Sequence, residues 1–70
     1  MESIYKVIEI IGSSLKSWED AARNAVESAA KNLKDLRVAE VVEMDMRLEN
    51  GRVIEYRVKV KVSFKYNLEE

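Results

Sequence analysis

The chain has neither cysteine nor histidine, and only two of its 70 residues are glycine. Without cysteine, disulfides and thiolate metal sites are excluded. Without histidine as well, the common nucleophile-and-base pairings cannot be assembled. Any bound metal must be held by carboxylate, carbonyl and water oxygens, the ligands of calcium and magnesium rather than of zinc or copper. Gly12 and Gly51 are too far apart to form a glycine-rich phosphate loop. Charge of one sign is missing too: 12 basic residues face 13 acidic ones, a net charge of −1. Nothing global therefore draws the chain to nucleic acid or to a membrane surface. No stretch approaches the ~20 consecutive apolar residues that cross a bilayer. The apolar run near the start is broken by Lys6 and Glu9 and has no basic lead-in, unlike a signal peptide. A cytoplasmic location is the default expectation.

What the chain does have is alternation. From Ile54 to Tyr66 every even position is apolar or aromatic, and every odd position (Glu55, Arg57, Lys59, Lys61, Ser63, Lys65) is polar. Side chains on a strand point alternately to opposite faces, so this stretch predicts one apolar and one polar face. At ~3.4 Å per residue it would run roughly 44 Å, long for a small domain. Such a strand needs a partner strand, a helix over its apolar face and a neighbouring chain. The 70 residues form one domain, and a core of this size rarely supplies more than about 3–5 kcal/mol without disulfides, metal or association. Self-association is the leading stabiliser and a hard cation the second.

Residues 4 to 11 are a β-branched run that reads as a first strand ending at Gly12. Its apolar residues fall on both faces, which predicts cover from both sides, one of them another subunit. Ser17-Trp18-Glu19-Asp20 fits a helix-capping pattern, with acidic residues at the positive end of the helix. The helix is predicted from Trp18 to Leu36, with Ala22, Val26, Ala29, Ala30 and Leu33 as its buried stripe and Arg23, Glu27, Lys31 and Lys34 towards water. An alanine-rich stripe allows close approach but buries little area. Residues 38 to 48 read as a second strand, with Val42, Met44, Met46 and Leu48 on one face and Glu43, Asp45 and Arg47 on the other. Glu40 falls on the apolar side and breaks the pattern. The fold class is α+β in the order β-α-β-β: a three-stranded antiparallel sheet packed on one helix, its charged face open.

Asn50-Gly51 is a strong hairpin signal, but a bare two-residue turn puts the core side chains of the two strands on opposite faces. One extra residue near Val53-Ile54 restores the match, because a one-residue shift turns every side chain over. Asp45 then opposes Arg57, Glu43 opposes Lys59 and Arg47 opposes Glu55. A three-residue loop would instead set Glu43 against Arg57 and Asp45 against Glu55. The first register is preferred for its matched charges.

Few groups in the chain suggest chemistry. Ser13, Ser14, Ser17 and Ser63 read as turn, cap and strand residues. The basic odd face of the last strand reads as a salt-bridged surface rather than a nucleic-acid platform, since acidic residues oppose it and no aromatic interrupts it. Trp18 reads as an anchor of the first helical turn in preference to a ligand platform. Glu40, Glu43 and Asp45 lie close together on one strand; they form a charged face or, if they converge across a symmetry axis, a cation site. Glu43 and Asp45 are the favoured metal donors, since a spacing of two puts both on the polar face.

Several stretches resemble the dodecin family: Tyr5-Lys6-Val7-Ile8-Glu9-Ile10-Ile11-Gly12-Ser13-Ser14, Ser17-x-x-Asp20-Ala21-x-Arg23-Asn24-Ala25, Lys34-x-Leu36, Glu40-Val41-Val42-Glu43, Asn50-Gly51 and Tyr56-x-Val58-x-Val60-x-Val62-x-Phe64. The resemblance implies a β-α-β-β subunit of a hollow homo-dodecamer that binds a flavin without catalysis. In flavin-binding members a tryptophan after the helix stacks on the flavin and a glutamine on the last strand hydrogen-bonds it. Val38 and Arg57 stand at those positions here. Valine has no ring face, and arginine offers only donors. Ile10-Ile11-Gly12-Ser13-Ser14, Ser17-Trp18-Glu19, Arg37-Val38-Ala39 and Tyr56-Arg57 are similar to a calcium dodecin subgroup, which implies calcium in place of flavin. The leading expectation is a non-catalytic dodecameric container for calcium or another small ligand. A flavin binder with a repacked pocket, a purely structural assembly and, last, an enzyme follow it.

Overall fold

The structure, a computed structural model, describes residues 4–65. Tyr66, the last position of the alternating stretch, lies outside the described residues. The elements are β1 (Tyr5–Ser14), α1 (Trp18–Ala30), β2 (Leu36–Glu49) and β3 (Arg52–Lys65). They form one antiparallel sheet in the order β1-β3-β2, so the strictly alternating strand is central. Helix α1 covers its even face: Val58, Val60 and Val62 are each 1 % exposed, and Ala21 and Ala25 form one core cluster with Val58 and Val60.

The predicted β-α-β-β order and sheet hold, while several boundaries move. β1 does not stop at Gly12; it continues to Ser14. Gly12 is the point of closest helix approach, for a Cβ there would lie 2.3 Å from the Ala21 carbonyl oxygen and 2.7 Å from the Ala25 Cβ. That contact also corrects the helix stripe. The buried positions are Ala21 and Ala25, with Ala22 and Val26 flanking them half-buried and Ala30 exposed. Ala21 and Ala25 take the seat over Gly12, while Trp18, Ala22 and Val26 pack against the core around them.

The helix also ends earlier than Leu36. Ser17 caps its start, its hydroxyl accepting from the Asp20 amide at 3.0 Å. After Ala30 the chain tightens, the Lys31 amide donating to the Ser28 carbonyl and Asn32 to Ala29. Asp35, at φ 60°, then turns the chain out of helical geometry into β2.

The hairpin adopts the charge-matched register. Asn50 (φ 53°) and Gly51 (φ 76°) make a two-residue turn between Glu49 and Arg52. Leu48 pairs with Val53 and Arg47 with Glu55, leaving Ile54 as the extra residue. A second irregularity lies between Val41 and Glu43, where Val42 is unpaired. It resolves the misplaced Glu40: past Val42 the phase of β2 shifts by one, so Glu40 stands opposite Lys61 on the polar face while Val41 meets Val60 and Ala39 meets Val62. A third, at Arg37, sets Leu36 against Phe64.

The helix reaches β2 through Trp18 and leaves most of that strand uncovered. Val41, Met44, Met46 and Leu48 are between 44 and 59 % exposed, an apolar flank left bare beside a buried core. On the opposite face Tyr5, Val7 and Ile11 of β1 are more than half exposed as well, giving β1 its two apolar faces.

Candidate functional site

The odd residues of β3 put a column of cations down the middle of the open face, and the flanking strands set their own residues beside it. Ser13 and Asp45 stand on either side of Arg57; Ile11 and Glu43 stand on either side of Lys59. Arg57 closes on Asp45 with two hydrogen bonds, Nε to Oδ1 at 2.8 Å and Nη2 to Oδ2 at 3.0 Å. Lys59 Nζ lies 3.5 Å from Glu43 Oε1, and Arg47 Nε donates to Glu55 Oε1 at 2.8 Å. All three predicted opposite-charge pairs form.

These pairs set the local electrostatics. The Asp45 carboxyl is held below its ordinary range, first by the hydrogen bonds from Arg57 and further by the charges of Arg57 and Lys59. Arg57 is raised in turn by the same bonds. Glu55 is lowered by Arg47 and by a second hydrogen bond from Ser13.

Ile11, Glu43, Asp45, Arg57 and Lys59 line a hollow of about 100 Å³. The structure thus brings the two predicted cation donors, Glu43 and Asp45, to one wall of one depression. It also gives each carboxylate a basic partner. Among the described residues no group of three or more acidic side chains converges as a complete metal site in one chain would need.

Val38 and Arg57, the two positions where flavin ligands stand in the resembled family, are not brought together within a chain. Val38 pairs with Ser63, whereas Arg57 lies six residues back along β3, roughly 20 Å away. Val38 is 61 % exposed, and its carbonyl accepts from the Ser63 hydroxyl at 3.4 Å.

The dodecin family profile matches residues 4–67. The chain belongs to the dodecin family. It is 52 % identical over 63 residues to calcium dodecin of Mycobacterium tuberculosis, covering 90 % of this chain and 89 % of that protein. It is 36 % identical to the dodecin of Thermus thermophilus, covering 93 % and 94 %. The crystal structure of calcium dodecin from Mycobacterium tuberculosis, a calcium-chelating antigen with a novel calcium-binding site, superimposes with a TM-score of 0.83 at 48 % identity, covering 97 % of each chain.

Two features around the candidate site escaped the sequence reading. Ile11 forms part of the hollow, a role hinted at only by the apolar residues on both faces of β1. Trp18 anchors the helix as predicted, its ring edge-on to Tyr56 with centroids 5.2 Å apart. In addition its Nε1 donates to the Asp45 backbone carbonyl at 3.1 Å. No spacing rule links residues 18 and 45, so that bond had no signal in the sequence.

Proposed function

We propose that the chain is the subunit of a hollow homo-dodecamer that binds calcium without catalysis, with Glu43 and Asp45 among its donors. The observation that carries the reading is the likeness to calcium dodecin across nine-tenths of the chain, and the chemistry of the chain agrees with it. Calcium accepts six to eight oxygens in irregular geometry, and oxygen is what a chain without cysteine or histidine can offer. Two carboxylates on one strand are too few, so neighbouring subunits or water complete the site. Self-association is favoured by the uncovered flank of Val41, Met44, Met46 and Leu48, since such a continuous apolar face marks an interaction surface; the number twelve rests on membership of the dodecin family.

The ion pairs limit the affinity. To bind a cation through Asp45, the two hydrogen bonds from Arg57 must be given up, and Glu43 must leave Lys59. Dissociation constants on the order of millimolar follow, at the weak end of calcium sites. A ligand that binds only the folded assembly raises its melting temperature. Calcium at several times that concentration should therefore raise the melting temperature of the wild type, and Asp45→Asn should abolish the gain. A melting curve indifferent to calcium would leave the two carboxylates as a salt-bridged surface.

A further inference from the structure

Asp45 is gripped at both its side chain and its backbone. On the open face the Arg57 guanidinium takes both carboxylate oxygens. The Asp45 backbone carbonyl accepts from Trp18 Nε1, reaching across from the start of α1. The same indole meets Tyr56 edge-on, at an interplanar angle of 71°. Tyr56 immediately precedes Arg57 and stands across the ladder from Met46, the residue after Asp45. One ring therefore touches both strands at the rung where the ion pair is made, and Ser17 holds that ring's own helical turn in place through its bond to the Asp20 amide.

We infer that Trp18 is a positioning residue for the Asp45–Arg57 pair, fixing the backbone that carries the carboxylate and passing any change of the carboxylate's partner to the first turn of α1. A bidentate carboxylate–guanidinium contact needs its two planes aligned. Holding the Asp45 carbonyl limits the swing of the residue, and packing on Tyr56 limits that of its neighbour Arg57. When another cation takes the carboxylate, the guanidinium must withdraw, and the strand segment that carries it is the one on which the indole rests. The coupling to calcium rests on the proposed function; the coupling between Trp18 and the ion pair does not.

Trp18 is the chain's one tryptophan, so its indole N–H gives a single resonance. In the assembled, calcium-free protein, Asp45→Asn should shift that resonance. Glu43→Gln, which alters only the neighbouring pair with Lys59, should leave it in place. In the wild type, calcium should move the same resonance. Trp18→Phe keeps a ring edge for Tyr56 but loses the donor; by loosening the pair that competes with the cation it should strengthen calcium binding roughly three- to ten-fold, the worth of one neutral hydrogen bond, at an unchanged number of subunits. An indole resonance that ignores Asp45→Asn overturns the inference whatever calcium does. Wild-type calcium affinity in Trp18→Phe also overturns the positioning role. If calcium has no effect on the wild type while Asp45→Asn still shifts the indole, the calcium reading falls and the positioning role stands. Should Trp18→Phe fail to assemble, the Asp45→Asn spectrum decides.

Discussion

Arg57 stands directly across the β2–β3 ladder from Asp45 and holds both of its carboxylate oxygens, at 2.8 and 3.0 Å. With Arg47–Glu55 two rungs away, this makes the hairpin sensitive to acid in a defined direction. Both carboxyls titrate below their ordinary range in the fold, Asp45 chiefly through Arg57 and Glu55 chiefly through Arg47. A depressed carboxyl stabilises the folded state above its unfolded pKa and loses that contribution as pH falls through the folded value. The melting temperature should thus be level from neutrality down to the ordinary carboxylate range and fall below it. The pairs are solvent-exposed, so the effect is modest and weakens with salt. Asp45→Asn with Glu55→Gln should lower the neutral-pH melting temperature and flatten the acid limb. An equally steep limb in the double variant would trace the acid sensitivity to other carboxylates.

Gly12 should tolerate no side chain. A Cβ there meets the Ala21 carbonyl oxygen and the Ala25 Cβ inside contact distance, and backbone cannot swing aside as a flexible side chain can. Gly12→Ala should lift α1 from β1 and destabilise by about 1–3 kcal/mol, the usual cost of overpacking. The denaturation midpoint measures it; an unchanged midpoint would mean that the helix seats elsewhere.

Flavin should bind weakly. Losing an aromatic stack costs roughly 1–3 kcal/mol, and an unmatched polar group about 1–3 kcal/mol more. Together these amount to roughly one and a half to four decades in dissociation constant. The structure adds a further obstacle, since Arg57 is already committed to Asp45. Val38→Trp with Arg57→Gln should bring binding up, read by quenching of flavin fluorescence. Nanomolar riboflavin binding by the wild type would contradict this account.

Much of this was legible in the sequence because period-two alternation and charge matching are local rules. The alternation of residues 54 to 65 marks the strand that proves central, and the preference for opposite charges selects one hairpin register out of two. The helix phase was less legible: Ala21 and Ala22 differ by one step of the same period, and the choice between them is made by Gly12 on another element. Gly12 was itself misread as a strand end, because a glycine that admits a neighbouring helix and a glycine that ends a strand look alike in sequence. Glu40 seemed out of place for a similar reason, since the unpaired Val42 that restores its phase leaves no mark among the β-branched residues around it.

The site was half legible. Spacing put Glu43 and Asp45 on one face, and the register supplied their partners. The bond from Trp18 to the Asp45 carbonyl and the place of Ile11 in the hollow depend on how three elements stack, which no local pattern encodes.

A native mass spectrum of the purified protein, recorded with calcium and again with chelator, decides whether twelve chains assemble and bind calcium. One dominant species is expected at twelve times the 8.1 kDa chain mass, carrying calcium increments that the chelator removes and that Asp45→Asn lacks. A well-folded monomer, or a twelve-chain species whose mass is the same with calcium and with chelator, would contradict it.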